Sequence, residues 1–238
     1  MKKIKDLKIK IFSDGANLEE MISMNKKDFV HGMTTNPSLM KKAGIKDYKT
    51  FAKNVLKEIK TKPISFEVFS DDFSEMEKQA KEIASWAQNV YVKIPITNTK
   101  KESSISLIKN LSKNNIKLNI TAIMTLDQVK SVVSVLNHET PSIISVFAGR
   151  IADTGRDPLP VMKESLNIMK KNTKSELLWA SSRELLNIFQ AEEIGCHIIT
   201  VTKDIISKLK FIDYDLSKYS LDTVKGFYND ALDAKFKI

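Results

Sequence analysis

The chain is poor in cysteine and glycine and has no long apolar run, and each shortage excludes a class of structure. Cys196 is its single cysteine, so an internal disulfide is impossible and a reducing, cytoplasmic setting is the expectation. Its 7 glycines form neither G-x-G-x-x-G nor G-x-x-x-x-G-K-[ST], which argues against an open nucleotide-binding sheet. No apolar run approaches the roughly 18 residues that span a bilayer, so no membrane partner is expected. The basic N-terminal segment lacks the long apolar region of a signal peptide.

Arginine is also scarce: 3 of the 38 basic residues are arginines and the other 35 are lysines. The formal net charge of +9 raises the question of a nucleic-acid partner. The lysines alternate with acidic residues, as in KQAKE at 78–82, a pattern typical of solvated helix faces. We therefore expect no nucleic-acid partner. His31, His138 and His197 stand on separate segments without ligand spacing, so neither a metal nor another cofactor is expected.

Short apolar or β-branched runs alternate with segments of helical periodicity. Between 71 and 88, for example, Phe73, Met76, Ala80 and Ile83 fall near one helix face. Eight such alternations predict α/β architecture, a single (β/α)8 TIM barrel over residues 1–238. A further helical pattern at 219–236 predicts a C-terminal helical tail, 211–238, whose apolar side chains need a surface to pack on. The strand-like runs span 8–14, 29–36, 63–69, 89–96, 117–124, 142–149, 175–182 and 196–202.

Lys93 stands in the middle of the fourth run, VYVKIPIT, although burying an unpaired ammonium is costly. Strand alternation turns Val90, Val92 and Ile94 toward the helices and Lys93 toward the barrel lumen. The same test sets Ser181 opposite Leu178 and Ala180, and Ala122 among the residues that face the helices. Polar lumenal side chains are predicted near the carboxyl ends of several strands, where active sites of this fold lie. These are Asp14, Thr34, Asn36, Ser65, Glu67, Asn119, Thr121 and Ser181.

A lysine confined in a pocket loses hydration, which favours its neutral, nucleophilic amine. Such an amine forms a Schiff base with a carbonyl compound, and the iminium lets a neighbouring C–C bond break or form. Glu67 or Asp14 could supply the proton transfers, directly or through a water molecule. For Asn119 or Ser65 alone, a role in filling a polar barrel layer is an equally good interpretation. For an inward lysine and glutamate on neighbouring strands, catalysis is the better one.

The three arginines occur late in the chain, where barrel loops commonly hold phosphate. Arg150 follows the sixth strand-like run and Arg183 follows the seventh. A guanidinium binds phosphate through a rigid bidentate fork that an ammonium cannot reproduce. We expect Arg150 and Arg183 to bind phosphate, with Ser181 or Ser182 assisting. Arg156 is expected to pair with an aspartate of its own loop, at 153 or 157.

Five short motifs resemble those of transaldolases, in the order in which that family shows them. They are TTNPS (34–38), VKIPIT (92–97), NITAIM (119–124), VFAGRI (146–151) and ASSRE (180–184). The resemblance runs from about Ile9 to Thr202. It implies a (β/α)8 barrel without a cofactor, acting on sugar phosphates in the pentose phosphate pathway. The implied reaction is transfer of a three-carbon dihydroxyacetone unit from a ketose phosphate to an aldose phosphate.

The resemblance also implies roles for individual residues. Lys93 matches the Schiff-base lysine, and Asp14 matches the aspartate that handles the proton of the cleaved hydroxyl. Glu67 and Thr121 match the pair that holds a catalytic water molecule. The implied substrate-contacting residues are Asn36, Asn119, Phe147, Arg150, Ser181 and Arg183.

Two features distinguish branches of that family. A lyase branch, which releases free dihydroxyacetone, typically has glutamine where this chain has Glu67 and tyrosine where it has Phe147, so both positions favour a transaldolase. The chain length is nearer that short branch, whose C-terminal helix packs on a neighbouring subunit. We therefore expect a homo-oligomer, with docking of the tail on its own barrel as the alternative.

The sequence is also compatible with other sugar substrates and with a binding protein that has no catalytic activity. Gly15 and Ala148 depart from the residues usual at their positions, which leaves the donor and acceptor sugars undetermined and allows a specialised sugar pathway. A catalytically silent sugar-phosphate binder would retain Arg150 and Arg183 but would have no need of the lysine and the two carboxylates together.

Overall fold

A closed barrel of eight parallel strands forms the centre of the computed structural model, which describes residues 4–172 and 174–237. Each strand pairs with the next in chain order, and the last pairs with the first. The predicted (β/α)8 fold is confirmed. The strands are β1 (Lys10–Asp14), β2 (Val30–Thr34), β3 (Ile64–Glu67), β4 (Val90–Pro95), β5 (Leu118–Ile123), β6 (Ser142–Val146), β7 (Ser175–Trp179) and β8 (Ile198–Thr202).

Helices follow every strand and surround the barrel. Several begin where the side chain of a capping residue accepts a hydrogen bond from the backbone N–H three residues later, as at Asn17, Asp47, Asp72 and Thr125. Short 3-10 helices lie at Ile4–Asp6 and Lys208–Phe211. The α-helices are α1 (Leu18–Asn25), α2 (Pro37–Lys42), α3 (Tyr48–Glu58), α4 (Phe73–Ala84), α5 (Ile105–Lys113), α6 (Leu126–Val133), α7 (Ala148–Ala152), α8 (Leu159–Met169), α9 (Leu186–Glu193), α10 (Lys203–Ser207) and α11 (Leu216–Asp233).

Two apolar layers stabilise the barrel. The larger lies between strands and helices, and the smaller fills the lumen with Phe12, Ile143, Leu178, Ala180 and Ile198. The Phe12 ring crosses the lumen so closely that a Cβ atom on Gly32 would lie 2.5 Å from it. Any larger residue at position 32 would therefore force the Phe12 ring to move. Because Phe12 precedes Asp14 by two residues, this apolar plug forms the floor beneath the polar carboxyl end of the barrel.

Three residues depart from the predicted alternation. Leu178 and Ala180 face the lumen, not the helices, and Ala122 lines the lumenal cavity. Ala122 and Ser181 have left-handed backbone conformations, with φ angles of 62° and 61°, and each interrupts the two-residue repeat of a strand. The interruption explains why Ala122 faces the lumen and why Ser181 faces it as predicted. Ser181 consequently reaches the cavity although it follows the inward-facing Ala180.

The tail forms α11, which begins a few residues before the predicted position. None of its residues is buried, so the helix does not dock on its own barrel within the described ranges. Its apolar side chains are largely in solvent, with Val224 and Phe227 60% and 70% exposed. None of the helices in residues 4–172 and 174–237 combines the length and apolar character needed to cross a membrane.

Candidate active site

Polar side chains from several strands meet in a cavity of about 590 Å³ at the carboxyl end of the barrel. Strand register brings Glu67 of β3 level with Lys93 of β4, and Lys93 level with Asn119 of β5. Of the ten residues to which the family resemblance assigns a role, all but Arg183 line this cavity. They are Asp14, Asn36, Glu67, Lys93, Asn119, Thr121, Phe147, Arg150 and Ser181.

The Lys93 side chain is 8% exposed and points into the lumen, as the alternation predicts. Its Nζ atom lies 3.0 Å from Oε2 of Glu67 and donates a hydrogen bond of 2.9 Å to the backbone oxygen of Thr35. The buried amine is thus paired with a carboxylate at the rim where the fold builds its sites. A proton can pass between these two groups without a further carrier.

Asp14 lies across the cavity at the end of β1 and is held by the hydroxyl group of Thr34. Oγ1 of Thr34 donates to its Oδ1 at 2.7 Å and lies 2.5 Å from Oγ1 of Thr200. Burial raises the pKa of Asp14; the charge of Lys93 and the Thr34 hydrogen bond oppose the rise, and the charge of Glu67 adds to it. A carboxyl group that retains its proton to higher pH than usual is suited to exchange protons with a substrate hydroxyl.

Asn119 is fully buried and rigidly oriented. Its Nδ2 donates to Oγ of Ser65 at 2.9 Å, and its Oδ1 accepts from Oγ of Ser145 at 2.6 Å. The neighbouring Thr121 hydroxyl is also buried and has no hydrogen-bond partner among the described residues. A buried hydroxyl without a protein partner is typical of a site where a ligand or an ordered water binds.

Asn36 serves the fold as well as the cavity. Its side-chain oxygen accepts from the backbone N–H of Leu39 and caps α2, which begins at Pro37. The amide NH2 is therefore the part of Asn36 that a ligand can use.

The sixth strand delivers Phe147 and Arg150 to the cavity through the short helix α7. The Arg150 guanidinium lies over the Phe147 ring, with Cζ 5.7 Å from the ring centroid. Gly149 lies between them, and a Cβ atom there would fall 1.6 Å from the backbone oxygen of Ser181. Only glycine permits this approach, which brings Arg150 and Ser181 to one side of the cavity.

Arg183 lies outside the set of residues that line the cavity. Its Nε donates to Oδ1 of Asp153 at 3.0 Å and its Nη2 pairs with Oδ2, so the fork is bidentate on a carboxylate. The Arg183 hydrogen bonds lower the pKa of Asp153.

Arg156 donates to Oγ1 of Thr154 at 2.9 Å and forms no ion pair within the described residues. The prediction that it pairs with an aspartate of its own loop is therefore wrong. Ser182, which precedes Arg183, donates from its hydroxyl group to the backbone oxygen of Thr200 and so links the segment that follows β7 to β8.

Two contacts in the cavity were beyond sequence reasoning. The alternation predicts Thr34 as lumenal but gives no reason to pair it with Thr200, which lies 166 residues away. Ser145 lines the cavity as well, yet the run SIISVFAG does not distinguish it from a buried core serine. Strand alternation is the only sequence pattern that indicates them, since Ser145 and Thr200 both occupy lumenal positions of their strands.

Comparison with known proteins identifies the relatives of this chain. The family model for transaldolase/fructose-6-phosphate aldolase matches residues 11–237. The chain belongs to that family. A relative described as a probable transaldolase, from Dehalococcoides mccartyi, is 34% identical over 202 residues, with 84% of this chain and 90% of the relative covered. Another probable transaldolase, from a Thermoanaerobacter species, is 32% identical over 224 residues, with 94% and 98% covered.

Among solved structures, this transaldolase-family chain is similar to the 3-hexulose-6-phosphate synthase of Salmonella typhimurium. The TM-score is 0.57 at 14% identity, with 84% of this chain and 91% of that chain covered. KGPDC from Streptococcus mutans gives a TM-score of 0.56 at 12% identity, with 84% and 90% covered. Identities this low support the barrel fold alone.

Proposed function

We propose that this transaldolase-type enzyme forms a Schiff base through Lys93 and transfers a dihydroxyacetone unit from a ketose phosphate to an aldose phosphate. The observation that carries the proposal is the position of the Lys93 amine. It is buried in the barrel lumen, paired with Glu67 at 3.0 Å, and shares one cavity with Asp14. An amine with two proton-transfer groups is the minimum set for cleavage of a β-hydroxyketone through an iminium.

The proposed chemistry begins when Glu67 takes a proton from the Lys93 ammonium. The neutral amine attacks the C2 carbonyl carbon of the ketose, water leaves, and an iminium forms. The C3–C4 bond then breaks with its electron pair moving into the iminium, which becomes an enamine, while the C4 hydroxyl gives its proton to Asp14. The shortened aldose phosphate departs. The enamine attacks the aldehyde carbon of the acceptor, Asp14 returns a proton to the new hydroxyl, and water releases the product from Lys93.

Glu67 and Thr121 support the steps in which water leaves and returns. The Thr121 hydroxyl is buried without a protein partner within the described residues and lines the same cavity as Glu67. We propose that these two side chains hold the water molecule that carries protons during iminium formation and hydrolysis. Asn119, fixed by two serines, would donate to a hydroxyl of the bound three-carbon unit after only a small rearrangement.

The phosphate group of the substrate is assigned to the side of the cavity that holds Arg150 and Ser181. Arg150 is a fixed cation at the rim, and Ser181 supplies a hydroxyl from the neighbouring strand. Arg183 can join them only by exchanging Asp153 for phosphate. We propose that it does so when substrate binds.

A lyase that releases free dihydroxyacetone is the second candidate, and the family includes that activity in its name. Glu67 and Phe147 favour transfer, since the lyase branch typically carries glutamine and tyrosine there. Length does not favour the lyase, because probable transaldolases of similar length are covered over 90% and 98% of their own chains. A coupled assay for dihydroxyacetone with and without erythrose 4-phosphate separates the two. Release at the same rate without the acceptor would identify a lyase.

Borohydride trapping tests the mechanism. Reduction in the presence of fructose 6-phosphate should fix a ketose-derived secondary amine on the peptide that contains Lys93. Lys93→Met should abolish the adduct, whereas Lys62→Met, which removes a lysine that donates to backbone oxygens of Asn25 and Lys27, should leave it unchanged. An adduct on a different lysine, or none in the native chain, would contradict the proposal.

We also propose that the chain assembles with copies of itself through α11. No part of the described barrel covers this helix, and an exposed apolar helix face is typical of an interface.

A further inference from the structure

The backbone at the carboxyl end of β3 lacks a neighbouring strand on its β2 side. The last bond between the two segments runs from the Thr35 N–H to the Ser65 oxygen at 3.2 Å, just after β2 ends at Thr34. Because alternate residues of a strand direct their backbone groups to the same neighbour, the N–H and C=O of Glu67 also point to the β2 side. They lie one step beyond the end of the ladder, where an unpaired backbone group would weaken the position of the residue.

The phenol of Tyr48 occupies this gap. Its hydroxyl donates to the backbone oxygen of Glu67 at 2.8 Å and accepts from the backbone N–H of the same residue at 2.8 Å. One side chain thus satisfies both groups that a further residue of β2 would have satisfied. Tyr48 is the first residue of α3, and Asp47 caps that helix, so the phenol is delivered from a fixed point.

Aromatic packing holds the ring in place. Its centroid lies 6.3 Å from that of Phe66, 5.5 Å from that of Phe69 and 6.0 Å from that of Trp86. Burial raises the pKa of the Tyr48 phenol, which keeps the proton that its hydrogen bond to Glu67 requires. The hydroxyl therefore stays in contact with Glu67 and keeps the proton that it donates.

We propose that Tyr48 is a positioning residue that fixes Glu67 against the amine of Lys93. On its other side, the β3 backbone is tied to β4 by the Val68 N–H, which donates to the Lys93 oxygen at 3.1 Å. Tyr48 holds the side of β3 that faces away from β4, and the Glu67 carboxylate lies 3.0 Å from the Lys93 Nζ. Tyr48 does not line the cavity, so it acts only through Glu67. This inference rests on the proposed function of Glu67 as the proton partner of the Schiff-base lysine.

Tyr48→Phe tests the inference, because it removes the hydroxyl and keeps the ring with its three aromatic contacts. We expect kcat for transfer to fall about tenfold, less than the roughly 10²-fold effect of a full 1 Å misplacement, with KM for fructose 6-phosphate unchanged. In a Glu67→Gln background the same substitution should lower kcat by less than about twofold, since positioning a group that no longer transfers the proton has little effect. Tyr214→Phe removes a hydroxyl that donates to Asp222 at 2.7 Å in the tail, and it should change neither constant.

Amide hydrogen exchange gives a second measurement that does not depend on any variant folding. In the native chain the Glu67 amide should be protected, although it lies beyond the last bond between β2 and β3. Rapid exchange there would overturn the inference, as would an unchanged kcat in Tyr48→Phe or an equal loss in the Glu67→Gln background. If native protein forms the borohydride adduct on Lys93 and Tyr48→Phe has the native kcat, only the proposed role of Tyr48 is refuted. Native protein without an adduct would refute the proposed function itself.

Discussion

The Nζ atom of Lys93 lies 3.0 Å from Oε2 of Glu67, where β3 and β4 pair these two residues side by side. Both side chains are largely buried, with 8% and 17% of their surfaces exposed. A pair of this kind is a weak source of stability, because desolvation offsets much of the attraction. Its position at the carboxyl end of the barrel is where the fold carries its active sites, which supports the proton-transfer role that we propose for the pair.

Glu67→Gln tests that role with little change in shape. Glutamine keeps an oxygen that can accept from the Lys93 amine but cannot take its proton, so we expect kcat for transfer to fall by about 10²-fold or more. KM should change by less than about twofold, since we assign the substrate phosphate to Arg150 and Ser181 and not to Glu67. Glu77→Gln, which neutralises the half-buried partner of Lys81 on α4, is the matched control. If Glu67→Gln retained more than half of the native kcat, Glu67 would not be the proton acceptor.

The inward lysine could be predicted from the sequence because alternation is a local property. Val90, Val92 and Ile94 are buried toward the helices, which leaves Lys93 a single direction. The same rule failed at Ala122, where a left-handed backbone interrupts the repeat. It failed at Leu178 and Ala180 because β7 is buried on both faces, so the apolar residues of the strand do not show which face is the lumen.

Contacts across the lumen and between loops were beyond a local rule. Thr34 meets Thr200 only because the barrel closes between β1 and its two neighbours. Arg183 finds Asp153 in another loop, 30 residues away. Tyr48 reaches Glu67 because β2 ends early, a boundary that propensity places no better than within a few residues. Each depends on where chain segments end or meet, which residue type alone does not encode.

Asp14→Asn tests the raised pKa of Asp14 through stability. The folded chain holds this proton to higher pH than the unfolded chain does, so stability falls as pH rises above the ordinary value of 3.8 and through the folded pKa. Asparagine cannot ionise and still accepts from Thr34. The variant should therefore melt at a higher temperature than the native chain at neutral pH. The difference should vanish as pH approaches 4.

Asp153→Asn provides a control of opposite sign for this measurement. The pKa of Asp153 is lowered by Arg183, so any stability that its charge contributes is present at neutral pH and lost in acid. Differential scanning calorimetry from pH 4 to pH 8 records both variants. A gain for Asp14→Asn that is constant over this range would show that the pKa of Asp14 is not raised by burial.

Arg183→Lys tests whether Arg183 leaves Asp153 to bind the substrate phosphate. Losing one charge-assisted hydrogen bond of a bidentate pair should raise KM for fructose 6-phosphate about tenfold, while kcat changes by less than about threefold. Arg156→Lys alters the neighbouring arginine, whose described bond is to Thr154, and should leave KM within about twofold of native. Steady-state kinetics with a saturating acceptor measures both. A fall in kcat at constant KM would assign Arg183 a different role.

Helix α11 allows a prediction about assembly. Its apolar residues Val224 and Phe227 are three positions apart and therefore share a face, and both are mostly exposed. A second copy that covered this face would remove it from water, so we expect the native chain to be larger than its 27.0 kDa monomer mass by light scattering at micromolar concentration. Phe227→Glu should shift it to the monomer, because association would bury an unpaired charge. Lys225→Glu changes an exposed position of the same helix and should leave the mass unchanged. A native chain that scatters as a monomer would show that α11 does not join copies of this protein.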